Sequence, residues 1–297
     1  MNYVLMDIGG TQIKAQVYCK SSLIPGGITV FDAKSGCDKN EIFDHFAKII
    51  SSLLLKVPEG EQQPCGIGMA FPGPFDYEQG VSLMRGLGKY DAIYGYSIQQ
   101  EIIKLLPQLL TADTPFVFLH DVEAFAIGEI RFGEATNSHR AIHLCIGTGA
   151  GSAFTEDGLV LKEPTEVIPA NGWIYNTAYR ESIIDDYVSV RGLAKISGRF
   201  FENTPDGAAL SELCNQGDPR ALKVFSEFGK DVCAALAPFL KSFNPDTLVL
   251  GGQISKSFCY FGETLAGLCD ELDIKIVISL DTSEKILKGL LSVLTGA

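Results

Sequence analysis

Short apolar runs and helical stripes take turns along the chain. Residues 3–8 form a short apolar run carrying Asp7, followed by Gly9-Gly10-Thr11 and then by IKAQVY at 13–18. That order predicts strand, glycine turn, strand. Residues 21–40, rich in Gly, Ser, Lys and Asp, read as a strand and loops. Over 41–55 the apolar residues stand at 42, 43, 46, 49, 50, 53 and 54, the period of a helix with one buried face. Residues 65–76 read as a buried strand running into Pro72-Gly73-Pro74. A helix is predicted over 97–110, ending or bending near Pro107, then a strand over 116–120 that delivers Asp121. An Ala-rich helix follows over 122–133.

The second half repeats the opening. AIHLCI at 141–146 predicts a strand, Gly147-Thr148-Gly149-Ala150-Gly151 a glycine turn, and 152–161 a further strand with an Asp-Gly hairpin turn inside it. The two glycine turns lie nearly half the chain apart. Residues 182–200 and 218–243 read as helices. Residues 247–255 read as strand and Gly251-Gly252, then a helix through 268, and 286–297 as an apolar closing helix. Strands alternating with helices throughout place the chain in the α/β class. No low-complexity linker interrupts it, so the domain boundary is inferred from the repeat, near 112–118.

Composition narrows the chemistry. Glycine accounts for 31 of 297 residues, about 10% against ~7% in average usage. Lys and Arg total 24 against 36 Asp and Glu, a net charge of -12, so the basic footprint of a nucleic-acid binder is missing. Phosphates must then be held locally, by backbone N–H groups, a few cations and Mg²⁺. No apolar run reaches the ~18 residues of a membrane helix. The opening MNYVLMDIGG lacks the basic start and long apolar stretch of a signal peptide. Eight cysteines (19, 37, 65, 145, 214, 233, 259, 269) are scattered with no C-x-x-C pair. They read as reduced thiols of a cytoplasmic protein, mostly small buried hydrophobes.

The glycine turns carry the first chemical hypothesis. The run 147–152 invites a dinucleotide reading, but its third position is Ser152 and a strand follows where that motif needs a helix. A P-loop is excluded by the lack of Gly-Lys-Ser/Thr at the right spacing. Two β-hairpins with glycine tips, one per domain and facing across a cleft, fit better, their N–H groups cradling phosphate oxygens. Asp7 could hold Mg²⁺ directly or through water, and Thr11 and Thr148 offer hydroxyls. The plain alternative is that each turn is a hairpin needing glycine for positive φ.

With these residues in view, the sequence resembles the ROK sugar kinases, within the actin/hexokinase/Hsp70-like ATPase superfamily. Asp7-Ile8-Gly9-Gly10-Thr11-Gln12-Ile13-Lys14 is similar to the family's first phosphate motif, and 147–151 to the second. Asn244-Pro245-Asp246-Thr247-Leu248-Val249-Leu250-Gly251-Gly252 resembles the adenosine motif, and Gly68 to Asp76, with Gly73, the G-x-P-G-P-x-D stretch. The resemblance implies a two-lobed actin-like (ribonuclease H-like) fold with an inter-lobe cleft. The lobes would be 1–117, completed by a helix over 284–297, and 118–283. Implied nucleotide contacts are Asp7 (with Mg²⁺), Gly9, Gly10, Thr11, Lys14, Gly147, Thr148, Gly149, Gly251 and Gly252.

For the acceptor, the family places Glu-Asn-Asp at a strand end, then Ala-Asn-Ala and Gly-Glu. Here the stretch runs Leu119-His120-Asp121-Val122-Glu123, with Gly128-Glu129 further on. Asp121 matches the catalytic base, a carboxylate that positions a sugar hydroxyl and takes its proton; it also suits a helix N-cap. His120 stands where Asn binds sugar, and either contacts a hydroxyl or is satisfied by backbone. Glu123 stands at the second Asn and is either functional or a solvated helix residue. His143, mid-strand, reads as core or supporting. The family's Glu-x-Gly-His and zinc cluster are missing from 169–187, so no zinc is expected. Trp173 either stacks on a sugar or packs, and Asp185 falls near the family's last sugar-binding Glu. Arg85, Lys89, Tyr90, Tyr94 and Tyr96 occupy another sugar-contacting stretch, and suit an acidic, modified or larger acceptor or a surface loop.

The implied function is an ATP-dependent sugar kinase, transferring the γ-phosphate of Mg-ATP to a hexose or hexose-derivative hydroxyl. The implied partner is a small-molecule sugar, without nucleic acid or membrane, and a homodimer is left open. Alternatives are a non-catalytic sugar-binding or regulatory member and a non-sugar kinase or ATPase of the superfamily. Family regulators carry a DNA-binding helix-turn-helix ahead of Asp-x-Gly-Gly-Thr. Only six residues precede Asp7 here, so DNA binding is not expected.

Overall fold

The computed structural model describes residues 1–19, 22–23 and 27–296. Residues 20–21 and 24–26, in or beside the stretch read as strand and loops, lie outside it. The chain forms two units, Met1–Gly128 with Ser283–Ala297, and Glu129–Thr282.

The first unit contains β1 (Asn2–Ile8), β2 (Gln12–Cys19), β3 (Ser22–Leu23), β4 (Thr29–Asp32), α1 (Lys39–Leu54), β5 (Gly66–Phe71), β6 (Phe75–Asp76), β7 (Val81–Ser82), α2 (Ile98–Leu105), β8 (Phe116–His120) and most of α3 (Asp121–Phe132). Its main sheet runs β3-β2-β1-β5-β8, with β4 also beside β2. β1 and β2 make an antiparallel hairpin that sets Asp7 opposite Lys14. β5 and β8 run parallel to β1, so the carboxyl ends of three strands share one edge. All seven positions of the stripe lie on the buried face of α1, and Leu55, one residue past the helix, is exposed. Asp38 caps the helix by accepting the Glu41 N–H at 3.0 Å. α2 stops at Leu105, because Pro107 cannot be carried in the helix and restricts the residue before it.

The second unit contains β9 (Arg140–Ile146), β10 (Ala150–Glu156), β11 (Leu159–Leu161), β12 (Ala178–Tyr179), β13 (Ser182–Ile183), α4 (Val190–Ser197), α5 (Gly207–Asn215), α6 (Pro219–Phe243), β14 (Thr247–Gly251), α7 (Phe258–Phe261), α8 (Glu263–Glu271) and β15 (Lys275–Ile278). Its sheet order is β11-β10-β9-β14-β15. The β9–β10 hairpin beside parallel β14 and β15 repeats the arrangement of the first sheet, as the duplicated strand–glycine–strand pattern predicts.

Several elements differ from the pattern reading. Only Val190–Ser197 of the helix predicted over 182–200 forms. Residues 182–183 pair with β12, because Ile184 N–H bonds Thr177 O at 3.0 Å and Asp185 N–H bonds Tyr175 O at 3.0 Å. Those bonds tie the segment to the preceding loop. The helix after β14 breaks at Gly262, where a Cβ would run into the Phe258 ring. α5 and β15 are too short for a period to reveal. The border between units falls inside α3, after Gly128; one at 117/118 would divide β8, an integral strand of the first sheet.

The last helix, α9 (Thr282–Thr295), returns to the first unit. A Cβ on Gly68 would stand 3.0 Å from Leu290 Cβ, one on Gly128 would overlap the Lys285 carbonyl, and one on Gly289 the Ala124 carbonyl. Glycines facing each other let α3 and α9 cross at backbone contact. Gly289→Ala is therefore expected to destabilise the protein by roughly 1–3 kcal/mol through overpacking, despite alanine's ~1 kcal/mol advantage in helices. Scanning calorimetry reads this as a lowered melting temperature; an unchanged or raised one contradicts the close crossing. No helix among the described residues is long and apolar enough to cross a membrane.

Candidate active site

The first unit gathers its chemistry at the carboxyl ends of β1 and β8. The pairing register puts Lys14 across from Asp7. Ser283, in the first turn of α9, joins them: its hydroxyl donates to Asp7 Oδ2 at 2.7 Å and accepts from Lys14 Nζ at 2.9 Å. Burial pushes the Asp7 carboxyl up to about 6; the Ser283 bond and Lys14 oppose that rise, while the Asp121 charge adds to it.

The turn beyond Asp7 is tied by its carbonyls. Gly9 O accepts the Tyr90 hydroxyl at 2.9 Å, Gly10 O the Ser35 hydroxyl at 2.5 Å, and Thr11 O the Ala33 N–H at 3.0 Å. A trans peptide points its N–H opposite its C=O, so these bonds turn the Gly10 and Thr11 amides the other way. Neither Gly9 nor Gly10 has positive φ. Close approach, rather than a left-handed conformation, is what glycine supplies here: a Cβ on Gly9 would stand 2.9 Å from Gln12 O, and one on Gly10 3.3 Å from Lys89 Cδ.

Asp121 opens α3. Its Oδ1 accepts the Val122 N–H at 2.8 Å and lies 2.9 Å from His120 Nδ1. Burial pushes this carboxyl up, but the His120 ring, the Val122 N–H and the Lys89 charge outweigh it and hold the group below the ordinary aspartate value. His120 meets Tyr77 edge-on, with ring centroids 6.0 Å apart, and a Cβ on Gly73 would lie 3.8 Å from His120 Cδ2. The structure thus brings Gly73, His120 and Asp121 together. Glu123 is half-buried two positions further along the helix, where side chains do not share a face with Asp121.

In the second unit the β9–β10 turn is closed by Gly147 N–H on Gly149 O at 3.0 Å. A Cβ on Gly147 would meet nothing within 4 Å, and Gly147, Gly149 and Gly151 all avoid positive φ. The plain-hairpin alternative therefore does not explain the glycines of either turn. Asp185 Oδ1 accepts the Ala150 N–H at 2.6 Å, and Arg191 pairs with Asp185 while donating to Thr148 O at 3.4 Å. Gly252 is different: its φ is 88°, and a Cβ there would overlap Ile146 O. Only glycine lets the end of β14, with Gly251, close on the end of β9 beside the turn. Trp173 is half-buried, its ring 6.2 Å from Tyr175. It is held because Ser152 donates to Gly172 O at 2.6 Å and accepts from Ile174 N–H at 2.8 Å. His143 is a core residue bonded to Thr155 at 3.0 Å, and burial pushes it down to about 3, so it stays neutral.

Comparison with known proteins identifies the family. The sequence profile of the ROK family matches residues 3–272. The chain belongs to the ROK family. It is 25% identical over 286 residues to a glucokinase of Thermotoga maritima, covering 88% of this chain and 84% of that protein. To the N-acetylgalactosamine kinase AgaK of a Shewanella species it is 23% identical over 277 residues, covering 86% and 82%. The fold superposes on a ROK family glucokinase from Streptomyces griseus, solved in complex with glucose and AMPPNP. The TM-score is 0.75, identity 18%, and coverage 100% of both chains.

Four residues of this ROK protein's candidate site make contacts that no motif shows. Ser283 gives no local signal, because its partner Asp7 is at the other end of the chain. Tyr90 and Arg191 bond to backbone carbonyls of the turns, which motifs do not encode. The resemblance places Lys89, like Tyr90, in a sugar-contacting stretch and gives no sign of a contact with the first glycine turn. The structure sets its side chain over Gly10 and within electrostatic reach of Asp121.

Proposed function

We propose that this ROK protein is an ATP-dependent sugar kinase that moves the γ-phosphate of Mg-ATP to a hydroxyl of a hexose or hexose derivative. The observation that carries the reading is the pair Asp7 and Asp121. They are close enough to feel each other's charge, yet one carboxyl is pushed up and the other held down. Carboxylates driven apart in this way take different roles.

Asp121 is the base. It is ionised at neutral pH, Val122 N–H and His120 fix its orientation, and it sits at a helix start beside a strand end where an acceptor hydroxyl can be offered. The hydroxyl proton passes to its carboxylate as the oxygen attacks. Asp7 suits a cation. A half-buried carboxylate of raised pKa, with a second carboxylate near and a hydroxyl on Thr11, suits a hard dication that keeps several waters and binds through one or two carboxylates plus phosphates. When bound, Mg²⁺ would neutralise developing phosphate charge. Each unit's turn offers backbone donors for phosphate oxygens, the Gly10 and Thr11 amides in the first unit and residues 147–151 in the second, and Lys14, held through Ser283, supports Asp7. His120, beside Gly73, presents its ring to the acceptor, and Trp173, as a stacking surface, and Glu123 are further acceptor candidates.

The test is ADP release from Mg-ATP by the purified protein across a panel of hexoses, amino sugars, sugar acids and glycosides. Release that depends on one sugar class is the expected result. Turnover without any sugar would make the protein an ATPase, and sugar binding without turnover would make it a silent binder.

A further inference from the structure

The second glycine turn already holds an anion, and the anion belongs to the chain. Asp185 Oδ1 takes the Ala150 N–H at 2.6 Å, and the same oxygen stands 2.8 Å from where a Cβ on Gly149 would be. Its Oδ2 pairs with the Arg191 guanidinium. A backbone amide of a glycine turn together with an Arg fork is the donor set that binds phosphate. Arg191 reaches the turn a second time, donating to Thr148 O at 3.4 Å. The Asp186 carboxylate is also near it, at 3.8 Å from Arg191 Nε. The side chain of Asp185 is 17% exposed and that of Arg191 54%, so the carboxylate is covered while the guanidinium keeps an open face. The backbones behind them are tied: Ser189 donates to Asp185 O at 2.6 Å, and Val190 N–H to Gly147 O at 2.9 Å. Side chains can exchange partners here while the backbone stays in place.

We propose that Arg191 is a phosphate-binding residue of the nucleotide site, and that Asp185 is its internal stand-in, displaced from Ala150 and Arg191 when a nucleotide phosphate occupies the turn. This rests on the ATP-dependent reading above. A polyphosphate carries several negative charges against one on the carboxylate, so it wins the competition for the same donors. The carboxylate keeps the guanidinium paired and aimed until then.

The signature is a pair of substitutions with opposite signs. Asp185→Asn leaves an oxygen for the Ala150 N–H but removes the competing charge, so nucleotide binds several-fold tighter. Arg191→Ala weakens nucleotide binding ten-fold or more, and Arg191→Lys recovers only part, because an ammonium lacks the planar fork. The measurement is isothermal titration calorimetry of MgADP and of Mg-AMPPNP into each variant without sugar, with circular dichroism melts confirming that each is folded. Should Arg191→Ala not fold, Arg191→Gln replaces it. If Arg191 only props Asp185, both substitutions shift affinity the same way, and the proposal falls. It also falls if Asp185→Asn leaves nucleotide affinity unchanged and raises only the acceptor KM. Wild-type protein that binds no nucleotide would overturn the ATP reading itself, and this proposal with it.

Discussion

Asp121→Asn is expected to lower kcat by about 10²–10⁴-fold, the usual contribution of a positioned general base, while nucleotide affinity stays within a few-fold of wild type. The replacement is nearly isosteric. The asparagine oxygen still accepts the Val122 N–H that the carboxylate takes at 2.8 Å, so the start of α3 is preserved. What is lost is a group that can take the acceptor's proton. The pH dependence adds a second reading of the same site. Asp121 is held below the ordinary aspartate value, so it stays ionised through the neutral range. Asp7 titrates at about 6 and must be deprotonated to hold a cation. The kcat/KM for Mg-ATP should therefore fall as pH drops through 6. Part of the Asp7 rise comes from the Asp121 charge, so Asp121→Asn moves this limb to lower pH even as it cuts the rate. Steady-state pH profiles of both proteins check this. A variant with wild-type kcat ends Asp121's role as base, and an acid limb that does not move means the two carboxylates do not interact.

Legibility followed sequence distance. The β1–β2 and β9–β10 hairpins were readable because a glycine turn between two short apolar runs is a local signal, and its register then places Asp7 and Lys14 without further information. α1 was readable because seven apolar residues mark one helical face. The segment 182–189 misled because Ile, Asp and Tyr at helical spacing say nothing of the bonds from Ile184 and Asp185 to Thr177 and Tyr175. In the site, the partners of the turns escaped for the same reason. Tyr90 reaches Gly9, Ser283 reaches Asp7, and Arg191 reaches Thr148 across long stretches of chain. Each is one polar residue with no period around it. The glycine turns were legible because glycines between two short apolar runs form a local signal; the proposed acceptor residues are single side chains, and many residue types could stand in their place.

Asp7→Asn should make the unliganded protein more stable and the enzyme nearly inactive. The Asp7 carboxyl titrates at about 6 in the folded chain against an ordinary 3.8. The native state therefore holds this proton more tightly than the unfolded chain does. Below 3.8 both states are protonated and the site costs nothing. Between 3.8 and 6 stability falls as pH rises, and above 6 the whole cost is present. Each pKa unit corresponds to 1.36 kcal/mol, so the penalty near neutrality is on the order of 1–3 kcal/mol. An asparagine carries no charge to desolvate, and Ser283 can still donate to its oxygen. Thermal melts at pH 8 should place the variant several degrees above wild type, with the gap closing as pH is lowered toward 4. Activity moves the other way. Loss of the carboxylate that faces the cation removes several kcal/mol of charge stabilisation, roughly 10³-fold in kcat/KM for Mg-ATP. On the proposed reading, the destabilising carboxylate at the end of β1 is kept for a charge that a bound cation would relieve. A variant less stable than wild type at pH 8 would show that Asp7 is kept for the fold instead.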